Sequence, residues 1–218
     1  MNILITGTTG LAGSEVLQAA LSDDSIAQVT AITRKPLEIR HPKLKVVIHS
    51  DFLDYSGLAD MFKSHDACVW CLGIAQSLVS ESEYHQITHD YTLAAAKAML
   101  AANPKMAFMF LSGMGADSNE KSRTLFARVK GKTENALKQL SFTSLSIIRP
   151  GGIRPMQRRK SGAWYEQLLF PVYPILEFLF PSQIISARDL GKVMARILKE
   201  GPFNITIENP GLKRILKS

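Results

Sequence analysis

The chain has 218 residues, 46% of them hydrophobic and 21% charged, with a formal net charge of +7. Those proportions suit one large α/β domain and exclude a disordered, collagen-like or solenoid chain, because no low-complexity tract or internal repeat is present. No apolar run reaches the length of about 18 residues needed to span a bilayer, and no basic-then-apolar leader follows Met1, so elimination predicts a cytoplasmic protein. The basic residues are dispersed except at Arg158-Arg159-Lys160 and carry no nucleic-acid-binding signature. They favour phosphate-bearing cofactors or anionic substrates over nucleic acid.

The first predicted strand, Ile3-Leu4-Ile5-Thr6, runs into Gly7, Gly10 and Gly13 and then into a helix over 11–21. In this order Gly7 permits the tight turn, Gly10 lets phosphates reach bare backbone, and Gly13 lets the helix lie close to the sheet. The helix N-terminus then points its positive dipole end at a diphosphate. Gly7, Thr8, Thr9, Gly10, Leu11 and Gly13 are the expected cradle. Further strands are expected near 28–33, 45–48, 67–72, 106–111 and 143–149, with helices near 56–63, 82–102, 119–139 and 187–199. Such alternation of apolar strands with helices predicts a parallel sheet covered on both faces. Right-handed crossovers place all the strand C-terminal ends, and therefore the ligand, along one edge.

The residues at those ends carry the functional reading. The second strand ends in Arg34-Lys35, with no acidic residue to meet a ribose 2′-hydroxyl. A guanidinium binds a 2′-phosphate bidentately, so NADP is favoured over NAD. Asp51 and Phe52 follow the third strand and can hold and flank an adenine, or Asp51 can simply cap a turn. Leu72-Gly73 ends the fourth strand, where a missing side chain lets a ribose pass close to backbone. Ser112 follows the fifth and can hydrogen-bond a substrate carbonyl or hydroxyl, or cap a turn at Gly113. Pro150, in Arg149-Pro150-Gly151, ends the sixth as an extended dipeptide suited to lie against a nicotinamide.

Cys68 and Cys71 have the spacing of a redox pair, but in a strand residues three apart face opposite sides. Two inert core thiols are expected. His85 and His89 share a helix face, yet the sequence places no third ligand beside them, so no metal is expected. His41, His49 and His65 read as surface residues. Beyond Arg149 the rhythm breaks at glycines and prolines. The apolar segment 168–181 reads as a wall of a substrate pocket, in preference to a membrane-surface anchor. A returning strand and helix over 184–198 and a short strand at 203–207 complete the chain.

The blocks ITGTTGLAGSEV at 5–16, DYTLAAAKA at 90–98, LSGMGAD at 111–117, VKGKTENAL at 129–137 and IIRPG at 147–151 occur in one order. Together they resemble the short-chain dehydrogenase/reductase superfamily, in its atypical or extended branch, and within it the Tat-interacting-protein-type oxidoreductases. The resemblance implies a doubly wound Rossmann core at 1–150, with 151–218 as a substrate-side segment packed on it. It also implies a reaction centre of a serine and a Tyr-x-x-x-Lys pair, the lysine lowering the phenol's pKa and binding the nicotinamide ribose. Ser112 and Lys130 match that pattern, while Phe126 stands where the tyrosine belongs. A phenylalanine ring carries no proton to exchange. The resemblance therefore implies either an oxidoreductase acting on an unknown small carbonyl or hydroxyl compound, or a non-catalytic NADP(H)-binding module that reports redox state or engages a protein. In the first case water held by Ser112 and Lys130, or Tyr84, His85 or Tyr91, would supply the proton.

Overall fold

The structure is a computed structural model that describes residues 1–157, 170–200 and 204–218. The basic cluster Arg158-Arg159-Lys160 and the start of the apolar segment lie outside the described residues. The chain begins with β1 (Asn2–Thr6), α1 (Leu11–Leu21), β2 (Gln28–Thr33), β3 (Leu44–Ile48), α2 (Ala59–Lys63) and β4 (Ala67–Trp70). A long helical stretch follows as α3 (Glu81–His85), a π-helical turn (Gln86–Asp90) and α4 (Tyr91–Ala102). Then come β5 (Ala107–Leu111), α5 (Leu125–Lys138), β6 (Leu145–Arg149) and β7 (Gly152–Arg154). The last described elements are α6 (Tyr173–Leu179), β8 (Ile184–Ser186), α7 (Ala187–Glu200), β9 (Ile205–Glu208) and α8 (Asn209–Lys217).

Seven strands form one sheet in the order β3-β2-β1-β4-β5-β6-β9, and every pairing is parallel. A parallel sheet needs both faces covered, and the sequence supplies two apolar layers. On one face Ile3, Ile5, Val16, Leu17, Leu190, Val193, Met194 and Leu212 bring α1, α7 and α8 onto the strands. On the other, Leu4, Phe62, Ala95, Met99, Phe108 and Leu137 pack α2, α4 and α5. Cys68 lies in the second layer and Cys71 borders the first, so the two thiols are on opposite sides of the sheet. Burial pushes the Cys71 thiol up to about 12.

The last third of the chain does more than sit on the substrate side. β9 extends the main sheet beside β6, and α7 packs directly on α1. Among the described residues, only the short parallel pair β7–β8 stands apart, at the exit of β6. The buried Asn209 fastens this region: its Oδ1 accepts from the Gly151 amide at 3.0 Å and its Nδ2 donates to the Ser182 carbonyl at 2.8 Å.

Two expected helices differ in the structure. The one placed over 119–139 starts only at Leu125. The Asp117 carboxylate accepts from the amides of Asn119, Lys121 and Ser122 at 2.7–2.9 Å, which holds the preceding stretch in a loop. The helix over 82–102 widens at its π turn, where the Thr88 carbonyl accepts from the Thr92 hydroxyl at 2.8 Å.

His65, expected at the surface, is buried at 3% exposure. Its Nδ1 lies 2.7 Å from the Met61 carbonyl and its Nε2 2.9 Å from the Thr30 hydroxyl, joining the start of β4 to β2. Burial holds its pKa below the ordinary 6.5. A depressed pKa means that the unfolded chain takes up the proton first, so this contribution to stability is complete above 6.5 and is lost as the pH falls. Urea denaturation at pH 7.5 and 5.5 should therefore show a larger loss for the parent protein than for His65→Gln.

Candidate functional site

The cradle forms where β1 ends. Gly7 has φ +67°, a conformation that L side chains rarely adopt, and its carbonyl accepts from the Gly10 amide at 2.8 Å. A Cβ on Gly7 would lie 2.3 Å from the Cys71 carbonyl oxygen, and one on Gly13 would lie 2.2 Å from the Gly7 carbonyl oxygen. Both positions therefore demand glycine, and α1 is drawn tightly over the turn. Gly10 is the N-cap of α1, with no side chain bonded to it and no acidic residue in the first turn. The first amides of the helix are thus available to an anion. Thr8 is buried, and its Oγ1 has no hydrogen-bond partner, as a group awaiting a ligand would.

A cleft of about 370 Å³ opens beside the turn, lined by Gly7, Thr8, Thr9, Ile32, Thr33, Arg34, Lys35, Phe52 and Leu72. Seven of the expected cofactor contacts are thereby brought together. The cleft lies across the ends of β1 and β2, beside the point where sheet order turns from β2 to β4 on either flank of β1. Arg34 and Lys35 are exposed at its rim, and neither forms an ion pair among the described residues. No acidic residue lines it. The glycine turn, the orphaned hydroxyl and the cationic rim fit a dinucleotide. Leu72 is held by its amide, which donates to the Thr6 hydroxyl at 3.2 Å.

Other expected contacts do not join this cleft. The Asp51 carboxylate accepts from the Leu53 amide at 2.9 Å, as a turn cap does, and it does not line the cleft. Gly73 is exposed, with nothing within 4 Å of an added Cβ. Pro150 is buried, and its carbonyl accepts from the Met114 amide at 2.7 Å.

Ser112 and Lys130 lie on the far side of the switch point, at the end of β5. The Ser112 hydroxyl, expected to face a substrate, donates instead to Glu134 Oε1 at 2.5 Å. Glu134 is fully buried, and Arg149 grips its carboxylate through Nε at 2.9 Å and Nη2 at 2.5 Å. Arg149 also donates to Glu208 at 2.9 Å. A buried carboxylate claims the nearest donors, and that demand turns Ser112 inward. Sequence reading missed Glu134; its one signal is its position four residues beyond Lys130, on the same helix face.

Lys130 Nζ donates to the Leu111 carbonyl at 2.9 Å and lies 4.7 Å from the centre of the Phe110 ring. Burial lowers its pKa to about 8, against the upward pull of the Glu134 and Cys71 charges. Phe126, one turn before it, presses its ring tip on Gly113: a Cβ there would lie 2.5 Å from Phe126 Cζ. Its amide donates to Gln76 Oε1 at 2.9 Å. Tyr84 and His85, two of the alternative proton sources, are engaged elsewhere. Tyr84 is buried, and burial pushes its phenol up to about 12. Tyr91 packs 5.7 Å from Phe52, and His85 meets Lys132 on the opposite face of α5 from Lys130.

The comparisons with known proteins agree with this geometry. The family described as NAD(P)H-binding matches residues 7–200. Protein HTATIP2 of Rattus norvegicus is 29% identical over 79% of this chain and 72% of its own length. The mitochondrial protein FMP52 of Kluyveromyces lactis is 33% identical over 70% of this chain and 67% of its own. Among solved structures, the UDP-glucuronic acid 4-epimerase of Bacillus cereus in complex with NAD superposes with a TM-score of 0.71 at 16% identity. That superposition covers 95% of this chain and 78% of the epimerase, and it shows a shared fold. With its glycine turn, its parallel sheet and a family match over most of its length, the chain belongs to the NAD(P)H-binding family, in the atypical short-chain dehydrogenase/reductase-like branch.

Proposed function

We propose that this protein holds NADP(H) as a ligand and does not turn it over by the serine–tyrosine route of reductases. Two observations support the choice of NADP. Arg34 and Lys35 line the cleft, and no carboxylate lies there to repel a 2′-phosphate. Charge-assisted hydrogen bonds of this kind contribute about 1.5–3 kcal/mol. Titrations followed by nicotinamide fluorescence should therefore show NADPH bound more tightly than NADH. Arg34→Ala should weaken NADPH by about tenfold or more and leave NADH nearly unchanged. Equal affinities in the parent protein would remove the assignment.

The observation that carries the absence of turnover is the contact of Phe126 with Gly113. Reduction of a carbonyl needs a proton delivered to oxygen as hydride reaches carbon; the hydride is what bound NADPH would supply. Neither Phe126 nor Gly113 bears a hydroxyl, and the Ser112 proton is committed to Glu134. Among the described residues at the end of β5, Lys130 is the remaining donor, and its lowered pKa favours one rival reading: a slow reductase in which its ammonium protonates the substrate. A missing general acid costs about 10²–10⁴ in rate, so the two readings separate by measurement. The binding reading expects NADPH affinity with no carbonyl-dependent NADPH oxidation above background across a panel of aldehydes and ketones. Carbonyl-dependent oxidation that vanishes in Lys130→Met, with NADPH still bound, would establish the reductase instead.

A further inference from the structure

The π turn brings Asp90 to His85 and His89, two side chains that already share a helix face. His85, His89 and Asp90 each offer one ligand atom, and these atoms all lie within 4.8 Å of one another. His85 Nδ1 is 3.5 Å from Asp90 Oδ1, and the two imidazole centres are 4.9 Å apart. An ordinary helix seldom keeps two histidines and the next acidic residue convergent, whereas π turns recur at functional sites. We propose that His85, His89 and Asp90 form a binding site for a divalent transition-metal ion of the zinc class. Two imidazoles and one carboxylate are a ligand set for such ions, and three protein ligands leave a position open to water.

The surroundings prepare the ligands. Thr133 donates its hydroxyl proton to the Val129 carbonyl at 2.8 Å, so at 3.3 Å it accepts from His89 Nδ1–H. That bond fixes the tautomer and leaves the lone pair on His89 Nε2, the outer-shell arrangement that orients metal-binding histidines. Glu120 lies in the same hollow of about 430 Å³ as His85 and adds negative charge.

Lys132 and Arg128, which both line the hollow, oppose the ion. Lys132 Nζ is 3.3 Å from His85 Nε2, which accepts from it while Nδ1–H faces Asp90. An ion bound at Nδ1 moves the ring proton to Nε2, which turns that nitrogen from acceptor to donor and expels the ammonium. Metal uptake and the Lys132 contact are therefore alternatives, and the competition gives the site a signature that a surface ion pair lacks.

The test uses the full chain freed of metal by chelation, titrated with Zn²⁺ by calorimetry and with Co²⁺ by visible absorption. One equivalent should bind, with the intense visible bands of a low-symmetry cobalt site. His89→Gln and Asp90→Asn should each weaken uptake by about tenfold or more, and Lys132→Met should tighten it. NADPH affinity, unchanged in all three variants, shows that they are folded. No saturable one-to-one uptake would overturn the proposal. So would uptake unaltered by both His89→Gln and Asp90→Asn, or weakened by Lys132→Met.

Discussion

A fully buried carboxylate sets the terms for the catalytic end of this molecule. Glu134 has no exposed surface, and its charge is met by the Arg149 fork and the Ser112 hydroxyl. Removing one partner of such a pair typically costs about 3–5 kcal/mol, because the other charge stays buried. The pair therefore fixes α5 against the ends of β5 and β6, and with it the positions of Phe126 and Lys130 on the same helix face. Glu208 at the end of β9 gives Arg149 a second carboxylate, so the seventh strand also helps to hold this end. Stability and chemistry compete here for one hydroxyl. Stability has it.

The two ends of the site are joined through a single residue. The Cys71 carbonyl abuts Gly7, and its thiol lies close enough to Lys130 for each to shift the other's pKa. Strand order explains the proximity. β1 pairs with β2 on one side and β4 on the other, so the crossovers leave β1 in opposite directions and open a crevice at its C-terminal end. The glycine turn and the cationic rim flank that crevice, and Lys130 stands at the end of β5, beyond β4. The geometry follows from parallel pairing and right-handed crossovers, without any side chain being required to specify it.

This division explains what could be read from the sequence. Strand positions and the glycine turn are local: a run such as Ile3-Leu4-Ile5 followed by Gly7 encodes strand, turn and helix within a dozen residues. The two faces of the sheet were equally legible, since Cys68 and Cys71 differ by an odd number of strand positions. Other features depend on partners far along the chain. Ser112 meets Glu134 across 22 positions, and His65 meets Thr30 across 35. No periodicity reports such pairs. Asp90 joins His85 and His89 only because the helix widens by a π turn, whereas ideal helical spacing would carry it to another face. The late start of α5 is local in origin: the Asp117 carboxylate gathers the amides of Asn119, Lys121 and Ser122 and holds that stretch as a loop.

Binding and turnover rest on different atoms in this fold, and they can be lost separately. The diphosphate end is built from main-chain amides and a conformation that only glycine supplies, with cations added at the rim. In the serine–tyrosine route proposed to be lost here, proton transfer would rest on one phenolic oxygen. A phenylalanine at that place would keep a ring packed on Gly113, as Phe126 does, and lack an acid worth about 10²–10⁴ in rate. A well-formed dinucleotide site is therefore evidence of affinity and says nothing about catalysis. The residues that bear on proton transfer stand at positions 112, 113, 126 and 130. There one hydroxyl is committed to Glu134, two positions have none, and one amine sits where burial has lowered its hold on a proton.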